Sequence, residues 1–181
     1  TTDVTIKGAT INYVYGGGNA AGVTGDTFLD IDGATINNNV YGGGNEGIIS
    51  GNTKVLITDA KILGSAYAGG NGKTAVVYKN TSISVDGKTV IGTEESIPPA
   101  TGSLFAGGNA AATGTENTGN SVATVNIVGA TIYGNVYGGA NTSVVYGSTE
   151  TNIGTKAVND DTLIEDNIYI KGTVFGGGEA N

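Results

Sequence analysis

The stretch Val40-Tyr41-Gly42-Gly43-Gly44-Asn45 decides the fold, because an apolar residue, an aromatic and a run of small residues return in that order along the chain. Before it stands Val14-Tyr15-Gly16-Gly17-Gly18-Asn19. After it come Ala66-Tyr67-Ala68-Gly69-Gly70-Asn71, Leu104-Phe105-Ala106-Gly107-Gly108-Asn109, Val136-Tyr137-Gly138-Gly139-Ala140-Asn141 and Val174-Phe175-Gly176-Gly177-Gly178-Glu179. The aromatics lie 26, 26, 38, 32 and 38 residues apart, so one period of 26 with insertions describes all six copies. A fixed period of this size marks a solenoid.

Working outward, each copy is preceded by an alternating β-branched segment: Thr2-x-Val4-x-Ile6, Thr27-x-Leu29-x-Ile31, Thr53-x-Val55-x-Ile57, Thr81-x-Ile83-x-Val85, Val125-x-Ile127 and Thr151-x-Ile153. Alternation at period two predicts strands, and no stretch sustains a helical period. Val23, Ile48-Ile49, Val76-Val77 and Val144-Val145 form a further short apolar stretch after the glycine run, so each coil reads as three strand-like sides. The stretch 110–120 lacks it and is expected to bulge as a loop.

The expected fold is all-β: a right-handed parallel β-helix of about six three-sided coils, with residues 1–181 as one domain. Right-handedness follows the preference of parallel crossovers. One coil cannot bury its apolar face alone, whereas stacked coils at about 4.8 Å spacing build continuous inward columns. The expected columns are Val4, Leu29, Val55, Ile83 and Val125; Ile6, Ile31, Ile57, Val85, Ile127 and Ile153; and Ile11, Ile36, Ile62, Val90, Ile132 and Ile170. Glycine and asparagine at the corners supply positive φ or close approach. Asn19, Asn45, Asn71, Asn109 and Asn141 are read as a structural ladder of amides. The insertions, with Pro98-Pro99 in one of them, are read as outward loops.

Composition narrows the chemistry. The chain has no Cys, Met, His, Trp or Arg, which removes thiol and imidazole nucleophiles, thiolate and histidine metal sites, and disulfides. No cofactor or metal is expected. A net charge of −8 without arginine argues against nucleic acid. No apolar stretch is long enough for a membrane span, and Thr1 opens into a strand rather than a signal peptide. Both ends fall at repeat boundaries without a capping element, so the chain is read as a segment of a longer protein or a unit that stacks end to end.

The repeated Thr-x-Val-x-Ile-x-Gly-Ala-x-Ile followed by Val-Tyr-Gly-Gly-Gly-Asn resembles the glycine-rich repeat arrays of large secreted or wall-attached proteins of Gram-positive bacteria. It is also similar to right-handed parallel β-helix domains in general. The resemblance covers essentially the whole chain and implies an extracellular, cell-surface stalk or adhesin-type module, without a functional residue to carry over.

Three sets of residues are weighed for function. If the Val, Ala and Leu before them point inward, alternation sends Tyr15, Tyr41, Tyr67, Phe105, Tyr137 and Phe175 outward onto one face, where they either stack for stability or form a platform for a polysaccharide or cell-surface glycan; the alternative is that the rings point into the core while the aliphatics face out. Asp30, Asp32 and Asp86 are the best carboxylate set for a polysaccharide lyase or glycoside hydrolase. Asp86 lies two coils from Asp32, about 9.6 Å away and near the upper end of the separation used by inverting glycosidases. That alternative rests on analogy of fold, and the Arg and His such enzymes employ are missing. Asp160, Asp161, Glu165 and Asp166 form an acidic loop that is read as disordered, with a loop that holds a calcium ion as the alternative. Thr10, Thr35, Thr89 and Thr131 form a column that Lys61 interrupts, too broken for a flat ice-binding lattice. The expected role is a structural or adhesive repeat module, non-enzymatic, with neighbouring repeats, head-to-tail copies or a glycan as partners.

Overall fold

The computed structural model describes residues 1–94, 102–117, 119–154 and 167–179. Among these the protein is all-β, with three parallel sheets of six strands wound into a three-sided β-helix of six coils. At roughly 4.8 Å per coil the stack is about 29 Å long.

The first sheet holds the long strands Thr2–Lys7, Thr27–Asp32, Thr53–Thr58, Thr81–Asp86, Ser121–Ile127 and Gly147–Ile153 in coil order. Their alternating side chains divide cleanly between inside and outside, as in the strict buried and half-buried alternation of Thr27–Asp32. Leu29, Val55, Ile83 and Val125 stack in register and are fully buried, as are Ile31, Ile57, Val85 and Ile127 beside them. Each such side chain withdrawn from water contributes about 1.5–3 kcal/mol.

The second sheet consists of Thr10–Ile11, Thr35–Ile36, Lys61–Ile62, Val90–Ile91, Ala130–Ile132 and Ile168–Ile170. Here the expected third column needs a correction. Ile91, not Val90, stacks between Ile62 and Ile132, while Val90 pairs with Lys61 and Thr131 on the outer side. The turn Asp86-Gly87-Lys88-Thr89 is one residue longer than Asp32-Gly33-Ala34, so everything after it slips by one and changes face. Thr89 thereby leaves the outward threonine column. It is buried, and its hydroxyl donates to the Asp86 carbonyl at 2.7 Å.

The third sheet consists of the two-residue strands Val14–Tyr15, Val40–Tyr41, Ala66–Tyr67, Leu104–Phe105, Val136–Tyr137 and Val174–Phe175. The apolar stretch that follows the glycine run makes single parallel bridges instead of a sheet, through Val23, Ile49, Val77, Thr113 and Val145. Thr113 keeps the fourth coil in that column, so the bulge expected over 110–120 does not begin until after it.

Glycine serves two distinct purposes. The turn after the long strand takes positive φ at Gly8, Gly33, Gly87 and Gly154 and, in the third coil, at Asp59 at φ 51°, while the fifth coil turns through Val128-Gly129 without it. The glycine runs instead permit close approach of coil to coil. A Cβ on Gly69 would lie 2.7 Å from the Gly108 backbone nitrogen, and one on Gly43 would lie 2.8 Å from that of Gly70.

Candidate functional site

The Val-Tyr sheet presents the aromatics away from the aliphatic core, yet they are not an exposed strip. Tyr41, Tyr67, Phe105 and Tyr137 are 2–6% exposed and form a second apolar cluster of their own, with Tyr15 packed against it. Successive ring centroids from Tyr15 to Phe175 lie 4.6–5.0 Å apart, with interplanar angles of 5–10°. The coil spacing sets this separation, and parallel register makes face-to-face stacking the outcome. Both faces of each inner ring are taken by its neighbours. Only the terminal rings have a face outside the stack, and Phe175 is 43% exposed.

Polar columns flank the rings. Before the ring, Asn39 and Asn135 donate through Nδ2 to the hydroxyls of Tyr41 and Tyr137, both at 2.9 Å. The same column ties coil to coil. Asn39 Oδ1 accepts from Ser65 N, Ser65 Oγ from Ser103 N, Ser103 Oγ from Asn135 N and Asn135 Oδ1 from Thr173 N, all within 2.8–3.0 Å. After the ring runs the asparagine ladder. Asn45 Nδ2 donates to Asn19 Oδ1 at 2.9 Å, Asn71 to Asn45 and Asn109 to Asn71 at 2.8 Å, and Asn141 to Asn109 at 2.7 Å. Glu179 occupies the sixth place through its bridge to Asn141.

Burial raises the tyrosine hydroxyls because the phenolate would lose its hydration. Tyr67 is pushed up to about 12, first by burial and then by Tyr41, against the opposing hydrogen bonds of Ser65 and Asn141. Tyr41 is raised by burial against hydrogen bonds with Asn39 and Asn109. Tyr137 is raised by burial, with Asn135 opposing and Glu179 adding to the rise.

Two further columns carry signals that sequence reasoning left without a role. Thr2, Thr27, Thr53, Thr81 and Thr149 donate from Oγ1 to the carbonyls of Gly16, Gly42, Ala68, Ala106 and Gly176 at 2.5–2.7 Å, acting as struts from the long strand to the glycine run. Threonine at the head of the first four long strands was the available sign; in the fifth coil Ala123 takes the place, and Thr149 lies two residues into its strand. Immediately before these threonines, Asp26 Oδ1 accepts from Asn52 N and Nδ2 at 2.7 and 3.0 Å, Asn52 Oδ1 from Asn80 N, and Asn80 Oδ1 from Val122 N. These donors, the Asn52 backbone first, hold the Asp26 carboxyl below its usual value.

The carboxylates considered for catalysis are arranged differently. Asp32 and Asp86 flank Thr58 in register on the long sheet, and Asp30 sits one column over, beside Leu56. Asp32 pairs with Lys7 at 3.6 Å in solvent. Asp86 Oδ1 is occupied by the Gly87 N–H at 2.6 Å. A recess beside the sixth coil is lined by Ser84, Asn126, Asn152 and Ile153 and contains none of the three. Among the described residues no group of three or more His, Cys, Asp or Glu could hold a metal ion, and Asp160, Asp161, Glu165 and Asp166 lie outside those residues. No helix among the described residues is long and apolar enough to cross a membrane.

The chain matches no family model, no curated protein and no solved structure.

Proposed function

We propose that this chain is a structural repeat module of a surface-exposed protein, a stacking unit whose fold-making columns are fixed and whose outward faces are free to vary. The observation that carries the reading is the commitment of the recurrent residues to coil-to-coil contact: ring to ring, amide to amide, and threonine hydroxyl to glycine-run carbonyl. The outward columns of the long sheet repeat no single chemistry from coil to coil; their contacts are local, Lys54 over the Phe28 ring in one, and Asn152 to Asn126 and Asn126 to Ser84 in the other. Asp3, Phe28, Lys54, Ser82, Thr124 and Glu150 stack in one, and Thr5, Asp30, Leu56, Ser84, Asn126 and Asn152 in the next. A site needs particular residues at one place, whereas a scaffold needs the same residues at every level.

An extracellular or wall-attached location accords with the resemblance of the repeats. An adhesive role belongs to the variable outward faces rather than to the aromatic stack, because a sugar ring packs on an aromatic face and the inner faces are filled. The test presents the labelled chain to a glycan array and, separately, incubates it with soluble polysaccharides while reducing ends and unsaturated products are followed. The module reading expects no turnover, and any retained glycan to survive Tyr67→Phe. Release of reducing ends that Asp32→Asn and Asp86→Asn abolish would replace it with a glycoside hydrolase.

A further inference from the structure

Asn71-Gly72 is the one Asn-Gly pair in the sequence, and its asparagine is a middle rung of the ladder. After the other asparagine rungs the next residue carries a Cβ: Ala20, Glu46, Ala110 and Thr142. That difference bears on a reaction intrinsic to the amide. The backbone nitrogen of the following residue, once deprotonated, attacks the asparagine Cγ, closes a five-membered succinimide and expels ammonia. Water then opens the ring at either carbonyl, leaving aspartate, or isoaspartate with the main chain routed through the former side chain. Glycine permits the attack most readily because it has no Cβ to obstruct its nitrogen and the widest choice of backbone angles. Among the thermolabile amides of the chain, Asn71 is therefore the most reactive by sequence.

The stack engages every group that this reaction uses. Gly72 N donates to Asn109 O at 2.8 Å, which commits the nucleophile to the fourth coil. Asn71 Nδ2 donates to Asn45 Oδ1 and Asn71 Oδ1 accepts from Asn109 Nδ2, both at 2.8 Å, so the electrophile is tied on both sides. The Asn71 backbone is fixed as well, through its N–H to Gly44 O at 2.9 Å and its bridge to Asn109. Ring closure requires the nitrogen and Cγ in attacking geometry. These bonds must break first, which is an opening of the third coil rather than a side-chain motion. The product does not fit the place it came from. A carboxylate has no proton to give Asn45 Oδ1. It also adds a negative charge where Glu46 already stands beside Gly72, with Glu46 Oε1 2.8 Å from the position of a Cβ on that glycine.

We propose that Asn71 is a modification site, a deamidation latch that the folded stack holds shut. When the third coil opens, the Gly72 nitrogen converts the amide to aspartate or isoaspartate, and the coil no longer closes as before. Water is the sole co-reactant and ammonia the leaving group. The chain has neither cysteine nor methionine to record damage by sulfur oxidation, so this pair is where an opening of the stack becomes permanent. The latch belongs to the ladder alone and operates whatever the outward faces bind.

The test follows Asn71 by peptide mapping in water enriched in heavy oxygen, where each conversion leaves a labelled carboxylate. The wild-type chain is kept in mildly alkaline buffer at physiological temperature, either folded or in guanidinium chloride. Conversion at Asn71 should be at least about a hundredfold faster in denaturant, a ratio set by how rarely the folded coil opens. In denaturant Asn71 should also outrun Asn45, Asn109 and Asn141. Returned to native buffer, the converted chain should unfold at a lower urea midpoint than a chain taken only briefly through denaturant. Asn71→Gln, whose ring would have six members and close more slowly, should show the same midpoint after brief and long exposure. Equal rates in the folded and denatured chains overturn the proposal, as does a converted chain that regains the midpoint of the unconverted one. An Asn71→Gln midpoint that falls as far as the wild type's would place the damage at another residue and overturn it too; if that variant does not fold, the two wild-type comparisons decide.

Discussion

The two faces of the Val-Tyr sheet bury their side chains by different means. On the inner side Val40, Ala66, Leu104 and Val136 join an aliphatic core that the three sheets enclose. On the outer side Tyr41, Tyr67, Phe105 and Tyr137 have no opposing sheet, yet reach a similar degree of burial by stacking on each other between columns of asparagine and serine. The inner core is enclosed by the cross-section of the coil, whereas the outer one is enclosed along the axis by repetition. Each outer residue therefore depends on its neighbours in the adjacent coils, and position along the stack should govern its contribution.

That dependence gives the largest expected effect. Phe105→Ala, in the middle of the stack and without a hydroxyl to complicate the reading, should cost about 3–5 kcal/mol in urea unfolding. Phe175→Ala, at the exposed end, should cost under about 1 kcal/mol. Equal costs would break the distinction between the axial and the enclosed core.

Next in size is an alkaline loss of stability. The Tyr67 pKa is raised to about 12 in the folded chain against an ordinary 10, so the native state holds the proton that the unfolded chain releases. Its contribution is complete below pH 10 and is lost as pH rises toward 12, by roughly 3 kcal/mol at about 1.4 kcal/mol per pH unit. Tyr67→Phe should flatten that decline in a pH series of denaturant unfolding. An unchanged slope would put the ionising hydroxyl elsewhere.

Asn71→Asp sharpens the role of the flanking ladder. It replaces a donor by an acceptor opposite Asn45 Oδ1, while leaving the acceptor for Asn109. A loss of about 1–2 kcal/mol is expected at neutral pH from the broken bond and the unpaired, partly buried acceptor, with partial recovery when the carboxyl is protonated. Smallest is a gain. Thr151 continues the column of Val125 with a buried hydroxyl that has no partner, so Thr151→Val should stabilise the sixth coil by about 1 kcal/mol.

Most of the fold was legible because period-two alternation and the 26-residue repeat are both properties of the chain itself. Three features escaped for physical reasons. The single residue added at Lys88 falls in a turn, where composition does not reveal it, but it moves Val90 and Ile91 to opposite faces. The Asn39, Ser65, Ser103 and Asn135 column changes residue from coil to coil. What it preserves is a side-chain oxygen facing the next backbone N–H, a function that amide and hydroxyl share. The depth of the aromatic stack was hidden because alternation tells which side a ring takes, not what lies along that side. The asparagines were legible as a ladder; that they and the serines border the rings required three dimensions.

The measurement that tests the account most directly is the unfolding free energy of the Tyr41→Ala, Tyr67→Ala chain, taken beside its retention of any glycan that binds the wild type. The account predicts that removing two adjacent buried rings lowers stability by more than about 5 kcal/mol or prevents folding, with an exposed Tyr169→Ala control within about 0.5 kcal/mol of the wild type. A doubly substituted chain that unfolds like the wild type but loses a glycan the wild type holds would contradict it, and would make the aromatic column a binding surface instead of a second core.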